Sequence, residues 1–187
     1  MTPTPPDKLR LETSRLVLRA FRPEDGDGLF EYLSLPETYL YEPGEPLSRR
    51  EAAASAAERA GDERFLAVES KEEGSLVGHL YFSRMEPAEF LAWELGFIFN
   101  PRCHNRGFCT EASGKILEHA FSDLGAHRVN AYCNPRNIAS WRVLEKLGMR
   151  REGHFRQKAF FRRDADGRPL WHDCFAFGIV EDEWKRP

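Results

Sequence analysis

Apolar positions along the chain recur at two spacings, and the switches between them mark out the elements. Leu16-Val17-Leu18, inside Ser14 to Ala20, predicts a first strand. Arg22-Pro23-Glu24-Asp25 then sets proline and acids where a helix begins, since proline loses nothing at a first turn and acids suit its dipole. Pro36 to Pro46, broken by prolines and carrying Tyr39 and Tyr41, reads as a loop. Ser48-Arg49-Arg50-Glu51 fits a capping box at the start of an alanine-rich helix. Phe65 to Glu69 and Leu76 to Phe82 read as strands joined by the turn Lys71 to Gly74. Phe90 to Phe99 reads as another strand. On it Trp93, Leu95, Phe97 and Phe99 share one face, and Ala92, Glu94, Gly96 and Ile98 share the other.

The spacing then changes to that of a helix. Ala112, Ile116, Leu117, Ala120, Phe121 and Leu124 line one face, and Gly125 stops it. Arg128 to Cys133 is a short predicted strand. Asn137 caps a helix bearing Ile138, Trp141, Leu144 and Leu147, ended by Gly148. Two last strands, around Phe155 to Phe161 and Leu170 to Val180, flank the turn Asp164 to Gly167. Helices sit among strands without strict alternation. The expected architecture is therefore α/β (α+β) on a mixed sheet.

The 187 residues favour one domain, expected over 13–187, with 1–12 as a proline-bearing flexible tail. A net charge of −3 with both signs interspersed argues against nucleic acid as the partner. No stretch approaches the roughly 20 apolar residues of a membrane span, and the first residues lack the layout of a secretory signal. Cys103, Cys109, Cys133 and Cys174 are too sparse for a disulfide framework, which fits a cytoplasmic location.

The chemically informative stretch is Glu94-Leu-Gly-Phe-Ile-Phe-Asn-Pro-Arg-Cys-His-Asn-Arg-Gly-Phe-Cys-Thr-Glu-Ala112. It is a strand, a turn holding Arg102, Arg106 and Gly107, and a helix start. Free amides and the positive dipole end at a helix N-terminus suit phosphate, and glycine lets the backbone approach it. Taken alone, the same pattern is also that of an ordinary connection. A second stretch, Asn134-Pro-Arg-Asn-Ile-Ala-Ser-Trp-Arg-Val-Leu-Glu-Lys-Leu-Gly-Met149, follows the next strand. Together the two resemble the GNAT N-acetyltransferase superfamily, and within it the RimJ/RimL-like branch. Thr13-Ser-Arg-Leu-Val-Leu-Arg19 and Arg150-Arg-Glu-Gly153 look like that branch as well. The resemblance runs from the first strand to Val180.

The resemblance implies a GNAT fold, with a mixed sheet of about seven strands flanked by about four helices, and acetyl-CoA as acetyl donor to a primary amine. The family's loop pattern is Gln or Arg, two residues, Gly, one residue, then Gly or Ala. Here those places hold His104, Gly107 and Cys109, so two depart from it. The implied cofactor loop is His104, Asn105, Arg106, Gly107, Phe108, Cys109 and Thr110. The amides of Arg106 to Thr110 would do most of the holding, and His104 could donate to a phosphate oxygen. Backbone at Phe97, Ile98 and Phe99 would pair with the pantetheine arm, Asn137 would bond it further along, and Ser140 would face the thioester. A helix cap and a first-turn polar residue explain Asn137 and Ser140 equally well.

The chemistry requires a neutral amine and a donor for the thioester oxygen. Glu94, on the Gly96 face of its strand, is the preferred base; an edge charge paired with an arginine is the competing account. The tyrosine that many relatives place in the last helix falls at Leu144, so that role is vacant or moves to Ser140. A glutamate that some relatives carry after the helix has no match in Gln157-Lys158-Ala159-Phe160. The acceptor, a small-molecule amine or a protein N-terminus, would meet Tyr32 to Pro46, Phe155 to Phe161 and Trp171. Three rivals stand beside this reading. One is a Cys109 nucleophile, another a metal site from Cys103, His104, Cys109 and His172, and the third a GNAT-fold module that binds acyl-CoA without turnover. Exposed edge strands leave room for a homodimer.

Overall fold

The computed structural model describes residues 9–184. The chain forms β1 (Arg10–Glu12), β2 (Leu16–Ala20), α1 (Gly26–Leu33), α2 (Arg49–Ala60), β3 (Phe65–Ser70), β4 (Leu76–Arg84) and β5 (Ala92–Phe99). There follow α3 (Phe108–Ser122), β6 (Arg128–Cys133), α4 (Ile138–Lys146), β7 (Arg150–Arg163) and β8 (Pro169–Val180). All strands join one 8-stranded sheet in the order β1-β2-β3-β4-β5-β6-β8-β7. Every pairing is antiparallel except β5 with β6. A parallel pair needs a long crossover, and α3 supplies it.

Alternation along the strands puts a core on each face. On β3, Leu66 and Val68 join the cluster under α3 and α4, which holds Ile116, Leu117 and Leu144. Ala67 points the other way, to the cluster of Leu29, Tyr32, Ala52 and Ala56 under α1 and α2. Trp93, Leu95 and Phe99 enter the first cluster, with Phe97 packed against it, as their shared parity predicts. The capping box also forms: Ser48 N–H donates to Glu51 Oε2 at 2.8 Å, and Glu51 N–H donates back to Ser48 Oγ at 3.3 Å.

The mixed α/β architecture with four helices agrees with expectation, and the sheet has one strand more than expected. The extra strand is β1, within the segment assigned to a tail. Arg10 pairs with Arg19 and Glu12 with Val17. Three residues, two of them charged, carry no apolar alternation, so only the neighbouring β2 makes them a strand. Residues 1–8 of the expected tail lie outside the described residues. The Pro36–Pro46 loop opens with a 3-10 turn, Pro36–Tyr39, whose tyrosine is buried. No helix among the described residues is long and apolar enough to cross a membrane.

Candidate active site

The sheet opens at its parallel step. Ala92 to Leu95 pair with Arg128 to Ala131, and there the pairing stops. Beyond it β5 follows β4, with Phe99 opposite Gly78, while β6 follows β8, with Cys133 opposite Phe175. The two strands diverge, and Gly96 to Phe99 present backbone with no β6 partner. The wedge widens into a cleft of about 1020 Å³ whose walls include Gly96, Phe97, Ile98, Tyr132, Cys133 and Ser140.

The loop after β5 is drawn tight by its own polar groups. Asn100 Oδ1 accepts from Arg102 N–H at 3.1 Å. Asn105 and Gly107 take positive φ of 60° and 78°, turning the chain into α3. Arg15 Nη1 donates to the Arg106 carbonyl at 3.0 Å, and its Nε donates to Glu111 Oε2 at 2.7 Å. Arg106 itself donates to Glu73 Oε1 at 2.7 Å. Both guanidiniums lie over the buried Phe108 ring, at 4.8 and 4.5 Å from its centroid. Burial pushes the Glu111 carboxyl up, but hydrogen bonds from Thr13 and Arg15 outweigh it and hold it below the usual range. Gly107 caps α3 without a side-chain bond, so the amides of Phe108, Cys109 and Thr110 keep their donors free. These residues fit an anionic group.

Two loop side chains make contacts within the protein. The His104 ring donates from Nε2 to the Phe99 carbonyl at 3.1 Å, which ties the loop to β5. Cys109 packs against the core, where burial pushes its thiol up to about 12. That opposes a thiolate nucleophile, which needs a lowered pKa. Among the described residues, no group of three or more His, Cys, Asp or Glu side chains is arranged to hold a metal ion.

Across the wedge, Asn137 Oδ1 accepts from Ser140 N–H at 3.2 Å, so the cap forms, and the Asn137 amide nitrogen makes no hydrogen bond among the described residues. Ser140 and Leu144 both line the cleft. The Ser140 hydroxyl lies against the Cys133 thiol, which burial pushes up to about 12. Glu94 lies at the last steps of the β5–β6 pairing, opposite Asn130, and faces the cleft. Among the described residues it makes no ion pair with an arginine. Tyr132 stands near it; burial first, and then the Glu94 charge, push its phenol up.

Sequence reasoning missed Tyr132, and it placed Glu42 and Lys158 only within the segments expected to meet the acceptor, without giving either a role. The Lys158 ammonium sits 4.1 Å from the Tyr132 ring centroid. Glu42 enters the cleft from the loop after the 3-10 turn, and burial pushes its carboxyl up to about 7. A loop residue has no periodicity, and its burial is set by partners distant in the chain.

Comparison with known proteins agrees with this geometry. A model of the acetyltransferase (GNAT) domain matches residues 15–150. The chain is 34% identical over 178 residues to the uncharacterized N-acetyltransferase YnaD of Bacillus subtilis (strain 168), covering 94% of this chain and 99% of that one. A GNAT-family acetyltransferase from Bacillus anthracis superposes with a TM-score of 0.84 at 30% identity, over 94% of this chain and 100% of that one. Mycobacterium smegmatis RimJ in complex with CoA-disulfide shares the fold, with a TM-score of 0.70 at 22% identity, over 90% of this chain and 83% of that one. The diverging strands and the free-amide helix start are thus those of an N-acetyltransferase, and the chain belongs to the GNAT acetyltransferase family.

Proposed function

We propose that this chain transfers the acetyl group of acetyl-CoA to a primary amine bound in the cleft between the loop after α1 and the β7–β8 hairpin. The observation that carries the reading is the wedge itself. Its walls carry the stretch of β5 that has no β6 partner, Gly96 to Ile98, and a set of carboxylates, and β5 leads through the next loop into the helix start of α3.

The amides of Phe108, Cys109 and Thr110 would hold the pyrophosphate, with Asn105, Arg106 and Gly107 shaping the approach. Backbone of Phe97, Ile98 and Phe99 would take the pantetheine arm as an added strand, and the free Asn137 amide nitrogen would bond it from α4. His104 would serve by holding the loop to β5. Acetyl-CoA supplies an activated thioester carbonyl. Ser140 would donate to the charge that develops there or to the departing sulfur. Glu94, which makes no ion pair among the described residues, would help draw in the acceptor ammonium.

The chamber carries Glu42, Glu45, Glu51, Glu58, Glu94 and Asp173 against the cations Arg59 and Lys158. That excess of negative charge suits a cationic amine. A protein N-terminal α-amine, the acceptor implied by the RimJ/RimL-like branch, and a small polyamine both meet it.

Calorimetry with acetyl-CoA, followed by CoA release in the presence of spermidine and of an alanyl tripeptide, tests the proposal. Binding with turnover of either amine is the expected result. Binding with no turnover of any amine would favour the acyl-CoA-binding module, and absence of binding would sink the assignment.

A further inference from the structure

Glu42 is carried into the cleft by a loop fixed from several sides. Tyr39 O–H donates to the Leu33 carbonyl at 3.0 Å, and Thr38 Oγ1 donates to the Tyr32 carbonyl at 2.6 Å. Leu47 N–H closes the far end on Leu33 O at 2.8 Å. Arg162, from β7, donates to the Tyr39 carbonyl at 2.9 Å and so ties the loop to the hairpin on the opposite wall. Gly44, at φ 99°, makes the sharp turn, with its missing Cβ 3.2 Å from the Tyr39 ring. Between these anchors the Glu42 side chain faces the cavity shared by Glu94, Ser140 and the diverging strands. Its charge is felt at the Cys133 thiol, the group that touches Ser140.

The carboxylate makes no hydrogen bond and no ion pair among the described residues. A half-buried acid in a cleft is normally met by a donor or a cation, because losing water disfavours its charge. The other ionisable groups on these walls are Tyr39, Tyr41 and Glu45 near it in the chain, Glu51, Glu58 and Arg59 on α2, His79 and Tyr81 on β4, Glu94 on β5, and Tyr132 and Cys133 on β6. From the hairpin come Lys158, His172, Asp173 and Cys174. None bonds to Glu42, and His172 is occupied at Nδ1 by Asn134 at 3.0 Å.

We propose that Glu42 is the catalytic residue that takes the proton from the acceptor ammonium. This rests on the acetyl-transfer reading above and names its base. A primary ammonium, with a pKa of roughly 10 for an alkylamine and roughly 8 for an α-amine, arrives mostly protonated at neutral pH, and the protonated form cannot attack. Ionised Glu42 accepts one N–H proton and becomes a carboxylic acid. The freed nitrogen lone pair forms the N–C bond to the thioester carbonyl carbon. The C–S bond breaks, the sulfur leaves with its electron pair, and a second nitrogen proton reaches it through water to give the CoA thiol. Glu42 then returns its proton to solvent. A base that is half ionised near neutrality, as burial makes Glu42, both takes and releases a proton readily at that pH.

The test compares wild type, Glu42→Gln and Glu94→Gln. CoA release is followed from pH 5.5 to 9 with spermidine and with the alanyl tripeptide. The wild-type rate should rise through a midpoint near 7. Glu42→Gln should lose that limb and fall about 100-fold in kcat at neutral pH, with acetyl-CoA affinity by calorimetry unchanged. Glu94→Gln should keep the midpoint. Retention of the limb in Glu42→Gln, or its loss in Glu94→Gln, would overturn the proposal. The Glu42 carboxyl is also titrated by carbon-13 NMR in the protein saturated with CoA. A midpoint near 7 supports the assignment, and one in the ordinary carboxylate range overturns it even if neither amine is turned over. Failure to turn over either amine, with acetyl-CoA bound, counts against the acetyl-transfer reading, and the carboxyl titration then decides the Glu42 assignment separately.

Discussion

Arg15 donates from Nη1 to the carbonyl oxygen of Arg106 at 3.0 Å, across 91 residues of sequence. One end of the contact precedes β2, and the other lies in the loop proposed to hold the cofactor phosphates. The same guanidinium neutralises Glu111, whose carboxylate would otherwise stand in the first turn of α3 beside an incoming anion. The loop is therefore held by the chain's own groups.

Arg15→Ala should weaken acetyl-CoA binding by about tenfold, the equivalent of one charge-assisted hydrogen bond of ~1.5 kcal/mol. Calorimetry reads this directly. An unchanged Kd would mean that Arg106 and Glu73 shape the loop without help.

At Gly107 two substitutions separate backbone from access. Its φ of 78° strains any side chain, and a Cβ there meets only Arg15 Nη2 at 3.5 Å, an ordinary contact. Gly107→Ala should lower stability by about 1 kcal/mol through φ alone and leave partial binding. Gly107→Trp should abolish binding, since the indole would cover the free amides. Full acetyl-CoA binding by the tryptophan variant would remove the phosphate from this loop.

Tyr132 keeps its proton at neutral pH, because burial and the Glu94 charge both push its phenol up. It stands on the diverging part of β6, where the family tyrosine at the Leu144 position is missing. Leu144 is itself 1% exposed and part of the core, so it has no polar function to lose. Tyr132→Phe is expected to lower kcat about tenfold with acetyl-CoA affinity unchanged, as for loss of one hydrogen bond along the proton's path to the departing sulfur. Equal kcat in the two proteins would leave proton delivery to Ser140 or water.

His79, opposite Ile98 and on the lining of the same cleft, introduces a stability switch. Its ring is buried and accepts a hydrogen bond at Nδ1 from Tyr32 O–H at 2.7 Å. Burial, then the Arg59 charge, hold its pKa well below 6.5. Below about pH 6.5 the unfolded chain binds a proton that the folded chain refuses, so this contribution is present above 6.5 and is lost as pH falls. The slope is up to ~1.4 kcal/mol per pH unit. Thermal unfolding from pH 7.5 to 5 should show a steeper fall in wild type than in His79→Gln. Parallel curves would mean that another group governs acid stability.

Much of the fold was legible because its signals are local. Asn137 before Ile138 and Gly148 after Leu147 bound a helix by their own backbone chemistry, and the structure places α4 between them. Arg128–Cys133 forms a strand over the residues its pattern marks. β7 extends well past Phe155 to Phe161, to Arg150–Arg163, because its pairing with β8 continues where its own apolar alternation does not.

The candidate site divides along the same line. Glu94, Gly107, Asn137 and Ser140 stand in contiguous motifs, so the sequence by itself determined the family, the mixed sheet and the helix start with its free amides. It could not determine that His104 would turn back onto the Phe99 carbonyl, since that depends on where the loop closes. Glu42 and Tyr132 are ordinary in sequence. Only the tertiary structure brings a loop after α1, tied to β7 by Arg162, over the wedge between β5 and β6. Loss of water there is a property of the assembled walls, and it turns a common glutamate into one that titrates near neutrality.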